Sequence, residues 1–105
     1  MDQKKIQELQ MLEQNLQNIL LQKQSFQMEL AETESAIAEL QNSGDEVFKI
    51  VGQLMIKSDK NKISEELSNK QKMIDMKLKT FEKQEDSVTQ QLRSLREEVL
   101  NESKK

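Results

Sequence analysis

Residues 47–57 read Val-Phe-Lys-Ile-Val-Gly-Gln-Leu-Met-Ile-Lys, and this stretch decides the fold. Its β-branched and apolar residues stand at adjacent positions, which is typical of strands and not of a helix with one apolar stripe. Gly52 and Gln53 supply a two-residue loop between strands 47–51 and 54–57, with glycine at the first central position that a type II′ turn requires. The sequence therefore predicts a β-hairpin within residues 46–57.

Both faces of this hairpin are expected to be mainly apolar. In the predicted register one face carries Val47, Lys49, Val51, Leu54 and Ile56, and the other carries Phe48, Ile50, Met55 and Lys57. A two-stranded hairpin alone is marginal in water, and its open edges accept further strands. We therefore expect it to pair with strands of other chains, through the oligomerisation residues Val47, Phe48, Ile50, Val51, Gly52, Leu54, Met55 and Ile56.

Heptad repeats flank the hairpin on both sides. The first repeat predicts a helix over residues 2–42, and the second predicts a helix over residues 60–102. At 1.5 Å per residue the first helix would be ~60 Å long, too long for a helix of a compact domain of this size. The predicted fold class is mainly α, a long antiparallel two-helix coiled coil with a central β-hairpin. Its apolar seam consists of Leu9, Leu12, Leu16, Ile19, Phe26, Leu30, Ile37, Leu67, Ile74, Leu78, Phe81, Val88, Leu92 and Leu95.

The helix ends and the seam register can also be predicted. Gly44 is available for a left-handed residue after the first helix, and residues 58–61 contain three good N-cap residues for the second. Across an antiparallel seam, each layer pairs one residue of the first helix with one of the second. The register in which the two residue numbers add to 104, such as Leu12 with Leu92, gives the largest number of layers in which both residues are apolar. That register sets Thr33 against Gln71 and brings Lys23 within diagonal reach of Glu85.

Composition excludes several classes of function. The chain has 105 residues, 33% of them charged, and neither His nor Cys, so it offers no imidazole base, no thiol nucleophile and no ordinary zinc site. We expect no enzyme, cofactor or metal, and adjacent acids such as Glu65-Glu66 are interpreted as a solvated face. The net charge of −3 with interspersed signs argues against nucleic acid. Charges interrupt every apolar run, so neither a membrane span nor a secretory signal is expected, and a cytoplasmic location is the default.

The central segment resembles the β-type subunit of the prefoldin family. The family pattern is Val, aromatic, Lys, any residue, Val or Ile, Gly, any residue, three apolar residues and Lys, and residues 47–57 match every position. Lys79-Thr80-Phe81-Glu82-Lys83-Gln84-Glu85 also looks like the family's second helix. The resemblance covers essentially the whole chain. One departure is Asn42-Ser43-Gly44-Asp45, where some relatives carry proline.

This resemblance implies a function and partners. Prefoldin is an ATP-independent molecular chaperone, a hetero-hexamer of two α-type and four β-type subunits whose hairpins join in a double β-barrel. Six coiled coils extend from that barrel, and their ends hold non-native client proteins and pass them to a group II chaperonin. A single hairpin corresponds to the β type, and the whole of residues 1–105 would form one such domain.

Apolar residues near the chain ends are the candidate client-binding residues. Ile6, Met11, Val99 and Leu100, called here the tip residues, would lie where both termini meet. Other apolar residues off the seam are expected to pack on its flanks or to contact clients; they are Leu20, Leu21, Met28, Met73 and Met76. Two alternatives remain open: a structural coiled-coil tether or adaptor, which would not need the hairpin, and an RNA-binding arm, which would need a basic face.

Overall fold

The computed structural model describes residues 3–103, with side chains up to residue 102. Along the chain it contains α1 (Gln3–Asn42), β1 (Val47–Val51), β2 (Leu54–Ser58) and α2 (Lys60–Ser103). The predicted fold class, two long helices with a central antiparallel hairpin, is confirmed. The observed bounds of the helices and the hairpin differ from the predicted bounds by no more than one residue. Asp2, the first residue of the predicted helix 2–42, lies outside the described residues.

The described chain divides into two compact units. Unit 1 combines residues 3–25 of α1 with residues 78–103 of α2, and unit 2 comprises residues 26–77, including the hairpin. In unit 1 the two helices run antiparallel, because Arg96 pairs with Glu13 and Lys23 pairs with Glu85. In unit 2 they are also antiparallel, because the ammonium group of Lys77 lies 5.0 Å from the ring centroid of Phe26 while Lys70 pairs with Glu29 at 3.5 Å.

Ser43 closes the C-terminal end of α1. Its amide and its hydroxyl both donate to the carbonyl oxygen of Leu40, at 3.3 and 2.8 Å, and the Lys60 ammonium group donates to the Ser43 carbonyl at 2.8 Å. The expected left-handed conformation at Gly44 is wrong, since among the described residues only Gly52 has a positive φ. The reason is that Ser43 already satisfies a terminal carbonyl that a glycine cap would otherwise serve.

Asp59 caps the N-terminal end of α2. Its carboxylate accepts a hydrogen bond from the Asn61 amide at 3.1 Å, and its carbonyl accepts one from the Ile63 amide at 3.0 Å. This is the usual geometry of an aspartate N-cap, in which the side chain satisfies an amide that the first helical turn leaves without a partner. The predicted start of the second helix within residues 58–61 is confirmed.

The hairpin has the predicted strand pairing. Val51 lies opposite Leu54 and Ile50 lies opposite Met55, so the loop consists of two residues and the two faces carry the predicted side chains. Gly52 has a φ of 62°, whereas no described residue other than glycine has a positive φ. A type I′ turn would require a positive φ at Gln53 as well, so the turn fits type II′.

Burial along both helices follows the heptad pattern. From Leu67 to Val99 every third or fourth residue of α2 is buried or half-buried, and all the residues between them are exposed. The most buried apolar side chains of α2 are Ile74 and Leu92, at 3% and 2% exposure. Each predicted seam residue lies on this less exposed stripe, which therefore forms the narrow core of each unit.

The polar seam residues behave differently from one another. Lys23 donates to Glu85 at 2.9 Å, which confirms the expected diagonal contact between them. Thr33 is buried at 3% exposure, but its hydroxyl donates to the Glu29 carbonyl one turn earlier in α1, at 2.8 Å. Thr33 is thus satisfied by its own helix and needs nothing from Gln71.

Candidate functional site

The hairpin carries the most concentrated exposed apolar surface of the described chain. Six of its side chains are 47–72% exposed and form what we call the hairpin surface: Phe48, Ile50, Val51, Leu54, Met55 and Ile56. They occupy both faces of the two-stranded sheet. Three exposed apolar side chains on each face of one short hairpin are typical of an interaction site, whereas isolated exposed apolar residues are ordinary.

Local contacts fix the hairpin within unit 2. Val47, at the start of β1, is also one of the predicted oligomerisation residues. It is only 9% exposed, because the chain itself covers it. The ammonium group of Lys49 donates to the Glu66 carboxylate of α2 at 3.1 Å, so an ion pair connects β1 to that helix. The described sheet has two strands only, and the outer edges of β1 and β2 therefore retain backbone groups that can pair with further strands.

The predicted tip residues lie in unit 1 and differ in exposure. Met11 and Leu100 are 67% and 58% exposed, whereas Ile6 and Val99 are half-buried beside the seam. Lys5 forms an ion pair with Glu102, which confirms that the beginning of α1 and the end of α2 lie together. Unit 1 thus presents apolar side chains near both ends of the described chain.

Two lysine side chains in unit 1 have perturbed protonation. A hydrogen bond to Glu85 raises the pKa of Lys23 above its ordinary value, while partial burial opposes the shift. A hydrogen bond to Glu102 raises the pKa of Lys5 in the same way. Both shifts favour the charged lysine and are typical of ion pairs that hold two helices together. They do not resemble the lowered lysine pKa of a catalytic base.

Sequence reasoning missed a groove between the helices of unit 1. The groove is floored by Leu12 and Leu95, has Met11 at its rim and has Glu8 and Glu98 at one end. The signal that could have found it is the heptad position of the two acids, because Glu8 directly precedes Leu9 and Glu98 directly precedes Val99 on the stripe of each helix. Coiled coils usually place opposite charges at this position, which flanks the seam. The sequence shows the heptad position of each acid, whereas their placement on one groove depends on how the two helices pack.

The described residues give no sign of a metal centre or a membrane segment. Within residues 3–103, no three acidic side chains converge in a way that could hold a metal ion. None of the described helices combines the length and the apolar character that crossing a membrane requires.

The architecture defines a helix–hairpin–helix class of coiled-coil protein with an uncovered two-stranded sheet. Residues 3–104 match the family model described as "Prefoldin subunit". The chain therefore belongs to the prefoldin subunit family, a family of chaperone subunits and not of enzymes.

Individual relatives agree with this assignment. The chain is 31% identical over 99 residues to a prefoldin subunit beta of Saccharolobus islandicus, covering 92% of this chain and 79% of the relative. It is 35% identical over 99 residues to the prefoldin subunit beta of Methanothrix thermoacetophila, covering 92% and 82%. The crystal structure of the prefoldin beta subunit from Thermococcus strain KS-1 matches with a TM-score of 0.85 at 32% identity, covering 94% of this chain and 89% of that one.

Proposed function

We propose that this chain is the β-type subunit of a prefoldin hexamer that holds non-native proteins without ATP and delivers them to a group II chaperonin. The hairpin surface is the observation that supports this proposal most strongly. Six exposed apolar side chains on both faces of a two-stranded sheet are costly in water, and a tether or adaptor would not need them. A cytoplasmic location belongs to the same proposal.

Assembly would proceed through the hairpin. Because both outer strand edges are open, β1 and β2 can each accept a strand from a neighbouring subunit, while the apolar faces become buried in a barrel. The neighbours would be two α-type subunits and three further copies of this chain. The exposed ion pair between Lys49 and Glu66 connects β1 to α2, and the buried Val47 side chain adds an apolar contact at the start of the same strand.

Client binding would use unit 1. Met11 is exposed on one side of the coiled coil and Leu100 on the other, and Ile6 and Val99 are half-buried. An unfolded segment can therefore contact apolar side chains on either side of unit 1. Each contact of this size is weak. Several subunits acting on one client would raise the total affinity by making later contacts intramolecular. Methionine suits such a surface because its side chain is flexible and polarisable.

Assembly is tested with Ile56→Asp. Ile56 lies opposite Lys49 in the hairpin and is 47% exposed in the isolated chain. The cross-strand neighbour Lys49 already pairs with Glu66, so the new carboxylate would enter a barrel without a cation of its own, which costs several kcal/mol. We expect native mass spectrometry of the variant mixed with the α-type subunit to show species smaller than a hexamer.

The matched control is Met73→Asp, which places the same charge on an exposed apolar position of α2 in unit 2. Met73 is 58% exposed, so this variant is expected to assemble as the unmodified chain does. Light scattering of an aggregating test protein, measured without nucleotide, should show that protection follows assembly in the two variants. A hexamer of normal mass formed by Ile56→Asp would contradict the proposed role of the hairpin.

A further inference from the structure

The two sides of the coiled coil in unit 1 differ in charge. On one side lies the groove formed by Glu8, Met11, Leu12, Asn15, Ser87, Gln90, Gln91, Ser94, Leu95 and Glu98, which we call the acidic groove. Its lining contains two acidic residues and no basic one. The opposite side is lined in part by Arg93, Arg96, Glu13 and Glu97, so that both signs are present there.

The acids of the acidic groove are only partly compensated. Arg96 pairs with Glu13 at 3.2 Å on the opposite side, the arrangement that coiled coils normally use. In the groove, Glu98 has one contact with Lys5 at 3.6 Å, and Glu8 forms no ion pair with any residue from 3 to 103. Lys5 also pairs with Glu102, so one ammonium group is shared by two carboxylates. Among the described residues, the groove lining therefore carries two carboxylates and no cation.

Apolar surface accompanies this charge. Met11 is 67% exposed at the groove rim, and Leu12 and Leu95 form the floor. An aliphatic side chain lying against these three residues would be sheltered from water on one side. The carboxylates at the groove end would lie close to the side chain that neighbours this aliphatic residue in the bound segment. A cationic neighbour would be attracted to them, whereas an anionic neighbour would be repelled.

We propose that the acidic groove selects non-native segments in which an aliphatic side chain is flanked by lysine or arginine. This inference rests on the proposed holding function and specifies its substrate class. Met11, Leu12 and Leu95 receive the aliphatic side chain, and Glu8 and Glu98 receive the neighbouring cation. The basic flank acts by charge complementarity at an exposed site, so the preference weakens as salt increases.

The test measures binding of two fluorescent peptides to the assembled full-length protein by fluorescence anisotropy. The peptides share length and leucine positions, and differ in having lysine or glutamate beside each leucine. We expect tighter binding of the lysine peptide at low salt. Because two exposed charge pairs are lost, Glu8→Gln combined with Glu98→Gln should weaken that peptide roughly fivefold and leave the glutamate peptide no weaker. Met11→Ala should weaken both peptides.

Single variants provide the controls. Glu97→Gln makes the same charge change one residue away from Glu98 but on the opposite side of the coiled coil, and should not alter the preference. Glu8→Gln removes a carboxylate that forms no described ion pair, so its effect does not depend on losing the contact of Glu98 with Lys5.

Three results would overturn the inference. If both peptides bind equally and the glutamine variants change nothing, charge selection is wrong while holding in unit 1 stands. If Glu97→Gln weakens the lysine peptide as much as Glu98→Gln does, the effect comes from net charge and not from the groove. If neither peptide binds the unmodified protein, the inference fails together with the proposed client site.

Discussion

Leu92→Ala should unfold the coiled coil of unit 1 much more readily than the same substitution at an exposed position. Leu92 is 2% exposed, so the packing of unit 1 covers nearly all of its side chain. Leucine-to-alanine substitutions in protein cores cost about 2–5 kcal/mol, from lost apolar burial and from the cavity that remains. A seam between two helices is open to water on both sides and can partly collapse, so we expect about 2–3 kcal/mol. For a chain of this size, that corresponds to a fall in Tm of roughly 10 °C.

The matched control is Leu21→Ala, the same chemical change in unit 1 at a residue that is 65% exposed. It should cost less than about 0.5 kcal/mol, because little apolar surface returns to water and alanine favours the helix. Thermal unfolding followed by far-ultraviolet circular dichroism measures both variants, at one fixed subunit concentration because assembly makes Tm depend on concentration. Equal falls in Tm for the two variants would refute the assignment of the seam.

Two further predictions concern the polar seam contact and the hairpin turn. Because Glu85 raises the pKa of Lys23, the stabilisation from this pair is fully present below the ordinary lysine pKa of 10.5 and is lost as the pH rises through the pKa of the folded state. The difference in Tm between the unmodified chain and Glu85→Gln should therefore be present at neutral pH and vanish in strong alkali. A difference in Tm that does not depend on pH would contradict this role of the pair. Gly52→Ala forces a non-glycine residue to a φ of 62° and should lower the free energy of unfolding by about 1–2 kcal/mol. Gly44→Ala should have little effect, because the φ of Gly44 is not positive and a Cβ there would meet open space. Calorimetry of both variants measures these losses, and equal losses would refute the role given to the turn.

The sequence alone predicted the elements that repeat or that depend on local chemistry. Apolar residues at alternating steps of three and four specified both helices, since only that spacing keeps one stripe on the contact side. Gly52 specified the turn, because few other residues tolerate a positive φ. The two-sided apolar pattern from Phe48 to Ile56 specified an exposed hairpin, which the structure shows as six uncovered side chains.

The parts that sequence reasoning could not supply depend on competition between hydrogen-bond partners and on three-dimensional charge placement. Ser43 competes with Gly44 for the end of α1 and closes it, and Thr33 bonds to its own helix rather than acting across the seam. The acidic groove combines residues far apart in the chain, and its charge becomes evident only when Glu8 and Glu98 are placed on one side.

In the proposed function the hairpin assembles the complex and unit 1 holds the client. A chain lacking residues 1–8 and 97–105 separates these roles, because it retains the hairpin and the seam from Leu12 to Leu92. It should form a hexamer with the α-type subunit, as checked by size-exclusion chromatography. At matched hexamer concentration, light scattering should show a steep loss of protection of a denatured test protein. An assembled truncation that protects as well as the full-length chain would contradict the account and place client binding elsewhere.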